Sequence, residues 1–225
     1  MKVTYYGHSS FSIEINGKTI LVDPFISPNP QAAHIDINTL TVDYILITHA
    51  HYDHVMDVEA LAKRTNATII SNHEIVTYYE KAGFKGHGMN HGGSWNFDFG
   101  KIKMVNAVHS SSFPDGANGG NPAGYVLQSD NKTIYIAGDT ALTMDMKLIP
   151  LFFKLDLAIL PIGGNFTMDV EEAVIASDFV ECANVLGVHY DTAPLIAIDK
   201  DAAKNKFNSK GKKLTLLGIG ESLTV

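Results

Sequence analysis

The stretch Thr48-His49-Ala50-His51-Tyr52-Asp53-His54, preceded by Tyr44-Ile45-Leu46-Ile47, decides how this chain is read. Four potential metal ligands fall within six residues, directly after an apolar run. A β-branched and aromatic run of that length predicts a buried strand, so the ligands sit where a strand ends and a loop begins. His49 and His51 are two apart and can face one side while the chain is still extended. Asp53 and His54 precede Val55 to Lys63, whose apolar spacing predicts an amphipathic helix; a carboxylate near a helix N-terminus is favourable even without metal. One histidine at a strand end is commonly just a hydrogen-bonded surface residue. Three of them with an aspartate, in a chain of ten histidines, point to metal. Crowded imidazoles repel on protonation, whereas a divalent cation uses their neutral form.

At 225 residues the chain suits a single domain, 1–225, with ample length to bury a core. Hydrophobic residues at 45% and charged residues at 18% are an ordinary globular balance. The longest apolar runs, such as Leu157 to Ile162, are too short to span a bilayer. Met1 to Tyr6 enters a strand pattern directly, without the apolar core of a secretory leader. The single cysteine, Cys182, excludes an intrachain disulfide and suits a reducing compartment, so the expectation is cytoplasmic. A formal charge of −7, from 17 basic and 24 acidic residues, argues against broad nucleic-acid binding. Lys210-Gly211-Lys212-Lys213 reads as the solvated lead-in to a strand. The expected partner is therefore a small molecule, with no membrane and no nucleic acid; homo-oligomerisation stays open.

Residues 2–7, 10–15 and 18–23 read as three strands, the last two joined by an Asn16-Gly17 hairpin signal. His8 lies in the turn between the first two. Residues 26–42 form a long loop carrying His34 and Asp36, both read as surface residues. Ala67 to Ile70 is a strand, and Glu74 to Ala82 a helix that Gly83 stops. Gly86 to Gly93 reads as a mobile turn, with His87 and His91 as loop residues. Trp95–Phe99 and Lys101–Val108 form a hairpin around Gly100, ending at His109 and a serine run. Residues 113–122 read as a flexible rim; they lack the frame and lysine of a phosphate loop. Two further strands surround Asp130-Asn131, the second running into Gly138-Asp139-Thr140. Met144 to Lys154 predicts a helix and Asp156 to Pro161 a buried strand. Asp169 and Glu172 make a capping-box start for a helix from Val170 to Glu181. Val185 to Val188 runs into His189, Lys200 to Asn208 is a helix, and Leu214 to Leu217 closes the chain as a strand.

His-x-His-x-Asp-His after an apolar strand resembles the signature of the metallo-β-lactamase superfamily. His109, Asp139 and His189 follow at the ends of later strands, in the order that superfamily requires. The resemblance implies an α/β fold, a four-layer αββα sandwich of two mixed sheets face to face with helices outside. It also implies a dinuclear centre. His49, His51 and His109 would hold one divalent ion, Asp53, His54 and His189 the other, with Asp139 between them. Imidazole and carboxylate suit zinc, and also manganese, iron or nickel. The expected activity is metal-dependent hydrolysis of an ester, lactone or phosphodiester, with Asp53 orienting the nucleophile or handling its proton. Asp139 stands where common β-lactamases carry cysteine, which disfavours antibiotic hydrolysis. Gly7-His8-Ser9-Ser10-Phe11, Leu21 to Phe25, His109 to Ser112, Ala137 to Thr140 and Pro161 to Asp169 are similar to a stand-alone family of metal-dependent hydrolases near the ascorbate-phosphate lactonase branch. In that setting His8 and Asn165 are expected to contact substrate. A non-catalytic metal-binding or redox module on the same fold is the alternative.

Overall fold

Val3, Tyr5, Phe11, Ile13 and Val22 bury their side chains in one cluster with Ile102, Met104, Tyr125, Leu127 and Ile134. These ten come from the facing sides of two seven-stranded sheets in a computed structural model that describes residues 1–225. Removing each such side chain from water contributes about 1.5–3 kcal/mol, which is what holds the two faces together.

The first sheet contains β1 (Lys2–Gly7), β2 (Ser10–Ile15), β3 (Lys18–Val22), β4 (Tyr44–Leu46), β5 (Thr68–Asn72) and β6 (Gly86–Met89), side by side in that order. The second runs β7 (Ser94–Phe97), β8 (Gly100–Asn106), β9 (Ala123–Ser129), β10 (Lys132–Ile136), β11 (Leu157–Pro161), β12 (Asn184–Val188) and β13 (Lys213–Thr215). A last strand, β14 (Ser222–Thr224), returns to pair antiparallel with β1. In each sheet the early strands pair antiparallel and the later ones parallel. It follows that β1, β3 and β4 point one way in the first sheet, and β8, β10, β11 and β12 share a direction in the second. The loops leaving their C-terminal ends carry all the expected ligands, the usual place for a site in parallel sheets.

Helices α1 (Tyr52–Val55), α2 (Val58–Thr65) and α3 (His73–Lys81) lie on the first half, α4 (Val170–Phe179) and α5 (Lys200–Asn208) on the second. Val58 and Leu61 of α2 and Ile75 and Tyr79 of α3 pack on Ile45, Ile47 and Ile69. Ala173, Val174 and Phe207 pack on Tyr135, Ala158 and Val185. Four layers result, as expected. Asp169 and Glu172 form the expected capping box, with Asp169 Oδ1 accepting from Glu172 N at 2.9 Å and Glu172 Oε2 from Asp169 N at 3.2 Å. No helix is long and apolar enough to cross a membrane.

Several local expectations need correction. Residues 144–154 form only a 3-10 turn, Met144–Leu148, because Pro150 disfavours helix at the residue before it and offers no N–H. Gly86–Met89 is an edge strand, not a mobile turn; a side chain at Gly86 would collide with Val76 of α3, so glycine lets the strand lie close. His87 packs there against Trp95 and Phe97, while His34 and Asp36 are exposed as read. The expected helix from Val55 breaks at Met56-Asp57, where the Asp57 carboxylate accepts hydrogen bonds from Ile26 N at 2.6 Å and Ser27 N at 2.9 Å. The 113–122 rim is tied down. Asn72 Nδ2 donates to the carbonyls of Gly119 and Asn121, and Phe113 is buried, stacked 3.7 Å from Tyr78.

Candidate metal centre

Two hydrogen bonds from the second sheet fix the strand end that starts the site. Tyr125 Oη donates to Ile47 O at 2.8 Å, and Ala123 N to Thr48 O at 3.0 Å. From there His49 and His51 leave the extended chain, and His51 caps α1, so that Asp53 lies in its first turn and His54 in its last. Asp139 follows Gly138, whose φ of +65° and whose contact with Thr48 and Ala123 O leave no room for a Cβ. His189 follows β12 at φ +56°, and Gly163 is required beside it because a side chain there would strike the His189 carbonyl.

The seven expected ligands converge. Asp139 Oδ2 lies 3.0 Å from His189 Nε2, 3.4 Å from His54 Nε2, 3.7 Å from His109 Nε2 and 3.9 Å from His49 Nε2. Asp53 Oδ2 is 3.8 Å from Nε2 of both His54 and His189. Donor atoms of His49, His51 and His109 group together within 4.8 Å of one another, and so do those of His8, Asp53, His54 and His189. Ligands of a tetrahedral ion at about 2.0–2.1 Å stand roughly 3.3 Å apart, close to these separations.

A carboxylate not singled out from the sequence organises two of the motif's histidines, His49 and His54. Asp23, buried at φ +44°, accepts from Thr48 N at 2.8 Å, Thr48 Oγ1 at 2.6 Å and His54 Nδ1 at 2.9 Å. Thr48 Oγ1 in turn accepts from His49 Nδ1 at 3.0 Å. With both Nδ1 atoms donating, the Nε2 lone pairs of His49 and His54 face the cluster, the arrangement by which outer carboxylates orient metal-binding imidazoles. On the far side His51 Nε2 meets Ser110 Oγ at 3.2 Å, turning Nδ1 toward His49 Nε2 at 3.0 Å.

The donor set fits a metal. His54 Nε2, which faces the cluster, is buried without a hydrogen-bond partner, and buried polar atoms are rarely left so. Protons alone serve the cluster badly. Burial and the neighbouring His54 charge hold His49 well below the ordinary histidine value, and burial lowers His51 and His109. Burial opposes charge on His54 too, but Asp139 and Asp23 outweigh it and raise its pKa well above the ordinary value; Asp139 does the same for His189. Burial would push the Asp53 carboxyl up, yet the His8 hydrogen bond and the His54 charge keep it far below the usual range.

The two expected substrate contacts are placed differently. His8 is 4% exposed with both ring nitrogens engaged, so it stands behind Asp53 rather than on an open face. Asn165 is exposed in the loop after β11, at φ +56°, on the same edge as the cluster.

An αββα sandwich with histidines and aspartates gathered along one edge defines a metallo-β-lactamase-type protein, and residues 2–189 match the family described as the beta-lactamase superfamily domain. The chain is 67% identical over 223 residues to a UPF0173 metal-dependent hydrolase of Flavobacterium johnsoniae, with 99% of each chain covered. It is 46% identical over 231 residues to another from Bacillus cereus strain G9842, with both fully covered. Igni18, a metallo hydrolase from the archaeon Ignicoccus hospitalis, is similar at 37% identity and a TM-score of 0.91, over 100% of this chain and 97% of its own. An isothiocyanate hydrolase from Delia radicum gut bacteria shares the fold at 20% identity, with a TM-score of 0.80 over 100% of this chain and 99% of its own. The chain belongs to the UPF0173 metal-dependent hydrolases of the metallo-β-lactamase superfamily.

Proposed function

We propose that the cluster holds two divalent cations, zinc being one that imidazole and carboxylate donors suit, and hydrolyses an ester or lactone. The observation that carries this reading is the Asp139 carboxylate, with one oxygen within 3.9 Å of four imidazole nitrogens drawn from both ligand groups. His49, His51 and His109 would hold one ion and Asp53, His54 and His189 the other, with Asp139 touching both. Bound there, the pair would bring the pKa of water to roughly 7 and polarise the oxygen of the bond under attack.

The chain's own residues supply orientation and proton transfer. Asp53 is partly open, unlike buried Asp139, so its carboxylate can accept a hydrogen bond from the attacking water and orient it or handle its proton. Asn165, exposed in the loop after β11, would donate a hydrogen bond to substrate. Residues 19–62, 104–131, 133–146 and 155–199 contain all seven ligands and hold no lysine or arginine. Phosphate groups are typically gripped by such cations, so an uncharged carboxylic ester or lactone suits these loops better than a phosphodiester. A cytoplasmic location belongs to the same reading, supported by the single buried thiol of Cys182.

Asp53→Asn tests the proton role. Assayed with zinc raised until the variant's sites are filled, turnover should fall about 100- to 10,000-fold, the usual contribution of a positioned acid–base group; unchanged turnover would remove the assignment. A panel of aryl esters, lactones and bis-aryl phosphates should give its highest kcat/KM on the carboxylic substrates, and preference for the phosphates would overturn the substrate class.

A further inference from the structure

His8 is a residue that neither a ligand nor a substrate contact accounts for. It holds φ +54°, a conformation in which a non-glycine residue is uncommon and is retained where its surroundings insist on it. Its ring is wedged between two of the expected second-ion ligands. Nε2 lies 2.8 Å from Asp53 Oδ2, and the ring sits 4.2 Å from that of His189. A carboxylate can only accept, so Nε2 carries the hydrogen; in the neutral ring Nδ1 is then the acceptor, facing Thr192 Oγ1 at 2.9 Å, whose hydrogen is shared with Tyr190 O at 3.3 Å. The His8 carbonyl accepts from His189 N at 2.8 Å and from Tyr5 Oη at 3.0 Å. Phe25 closes the remaining side, edge-on at 5.7 Å.

One residue thus reaches Asp53 through its side chain and His189 through its backbone. These two ligands stand 136 positions apart in the chain. The left-handed turn makes this double grip feasible, because it lets the carbonyl and the ring of the same residue serve two neighbouring ligands. The lever extends outward: Thr192 lies in the loop after β12, whose Asp191 O also accepts from Gln31 Nε2.

We propose that His8 is a positioning residue for the second cation: it fixes the Asp53 carboxylate and the His189 backbone together and leaves the His49–His51–His109 side untouched. This rests on the two-cation reading above. By contrast with Asp23, which orients imidazoles, His8 orients a carboxylate, and it does so from the 7–10 turn rather than from the motif itself. Residues behind metal ligands typically control affinity by about 10- to 100-fold.

Two amides separate the ring's two contacts, asparagine being the better suited of the two to the positive φ. In His8→Gln the side-chain nitrogen reaches about as far as Nε2 and can still donate to Asp53. In His8→Asn it reaches only as far as Nδ1 and can serve Thr192 alone. Zinc would be titrated against a chromophoric chelator for wild type and both variants, with thermal melts of the chelator-treated proteins to follow folding. The expected result is at least tenfold weaker binding of the second zinc in His8→Asn, with the first unchanged, and within about threefold of wild type in His8→Gln. Wild-type affinity for both ions in His8→Asn would overturn the proposal, as would equal weakening of both ions. Should the substitutions at residue 8 unfold the chain, Thr192→Val takes their place: selective weakening of the second zinc supports the proposal and no change refutes it. A wild-type chain that binds one zinc only would refute the two-cation reading itself, which is visible before any variant is made.

Discussion

Replacing Asp23 with asparagine changes one atom and should uncouple the fold from the metal. Asparagine tolerates the φ of +44° at this position and conserves volume, so packing around it is kept. The amide oxygen can still accept from Thr48 N, but the other side of the group now donates where Thr48 Oγ1 and His54 Nδ1 also donate. His54 can relieve the conflict by moving its hydrogen from Nδ1 to Nε2, and Nε2 is the atom that faces Asp139 at 3.4 Å. A hydrogen bond to a charged group contributes about 1.5–3 kcal/mol. At about 1.4 kcal/mol per tenfold, losing the one that holds the His54 tautomer predicts roughly 10- to 100-fold weaker zinc binding. The assay is a competitive chelator titration of wild type and Asp23→Asn, with melts of the chelator-treated proteins as the folding control. Undiminished zinc affinity in a folded Asp23→Asn would refute the claim that this carboxylate sets the imidazole's orientation.

After removal of metal with a chelator, stability should peak near pH 6.5, the ordinary histidine value. His54 and His189 have raised values, so what they contribute is complete below about 6.5 and lost as pH rises through their native values. His8, His49, His51 and His109 have lowered values; the unfolded chain takes up protons that the native one refuses, and stability falls as pH drops below about 6.5. Melting temperatures that climb steadily to about pH 8 would contradict this balance. Gly138→Ala combines a left-handed backbone with collisions against Ala123 O and Thr48, and should cost about 2–5 kcal/mol by denaturant unfolding; a change under about 1 kcal/mol would mean that the turn relaxes freely.

The ligands were legible because metal chemistry leaves a compact mark, His-x-His-x-Asp-His, and because each later partner follows an apolar run that ends abruptly. The residues that orient them left no such mark. Asp23 and Thr48 are ordinary polar residues 25 positions apart, brought together only because β3 and β4 pair in parallel. The one hint was Leu21 to Phe25, an apolar run closing on Asp-Pro. His8 was read in its turn, but burial and the double hydrogen bond depend on Asp53 and Thr192, which lie far along the chain. Strand β14 was missed for a similar reason: Ser222–Thr224 is too short to show a period and exists through its pairing with β1. The expected helix at 144–154 followed apolar spacing alone, and four of its residues, Met144, Leu148, Leu151 and Phe152, stay exposed. Long-range pairing, not local pattern, decided each of these.

The central claim is that seven side chains form one centre for two ions. Crystals of protein purified without chelator or affinity metal, measured on both sides of the zinc absorption edge, address it most directly. The account predicts two anomalous peaks per chain, one bonded by His49, His51 and His109, the other by Asp53, His54 and His189, with Asp139 touching both. A single peak, or one held by other residues, would contradict it.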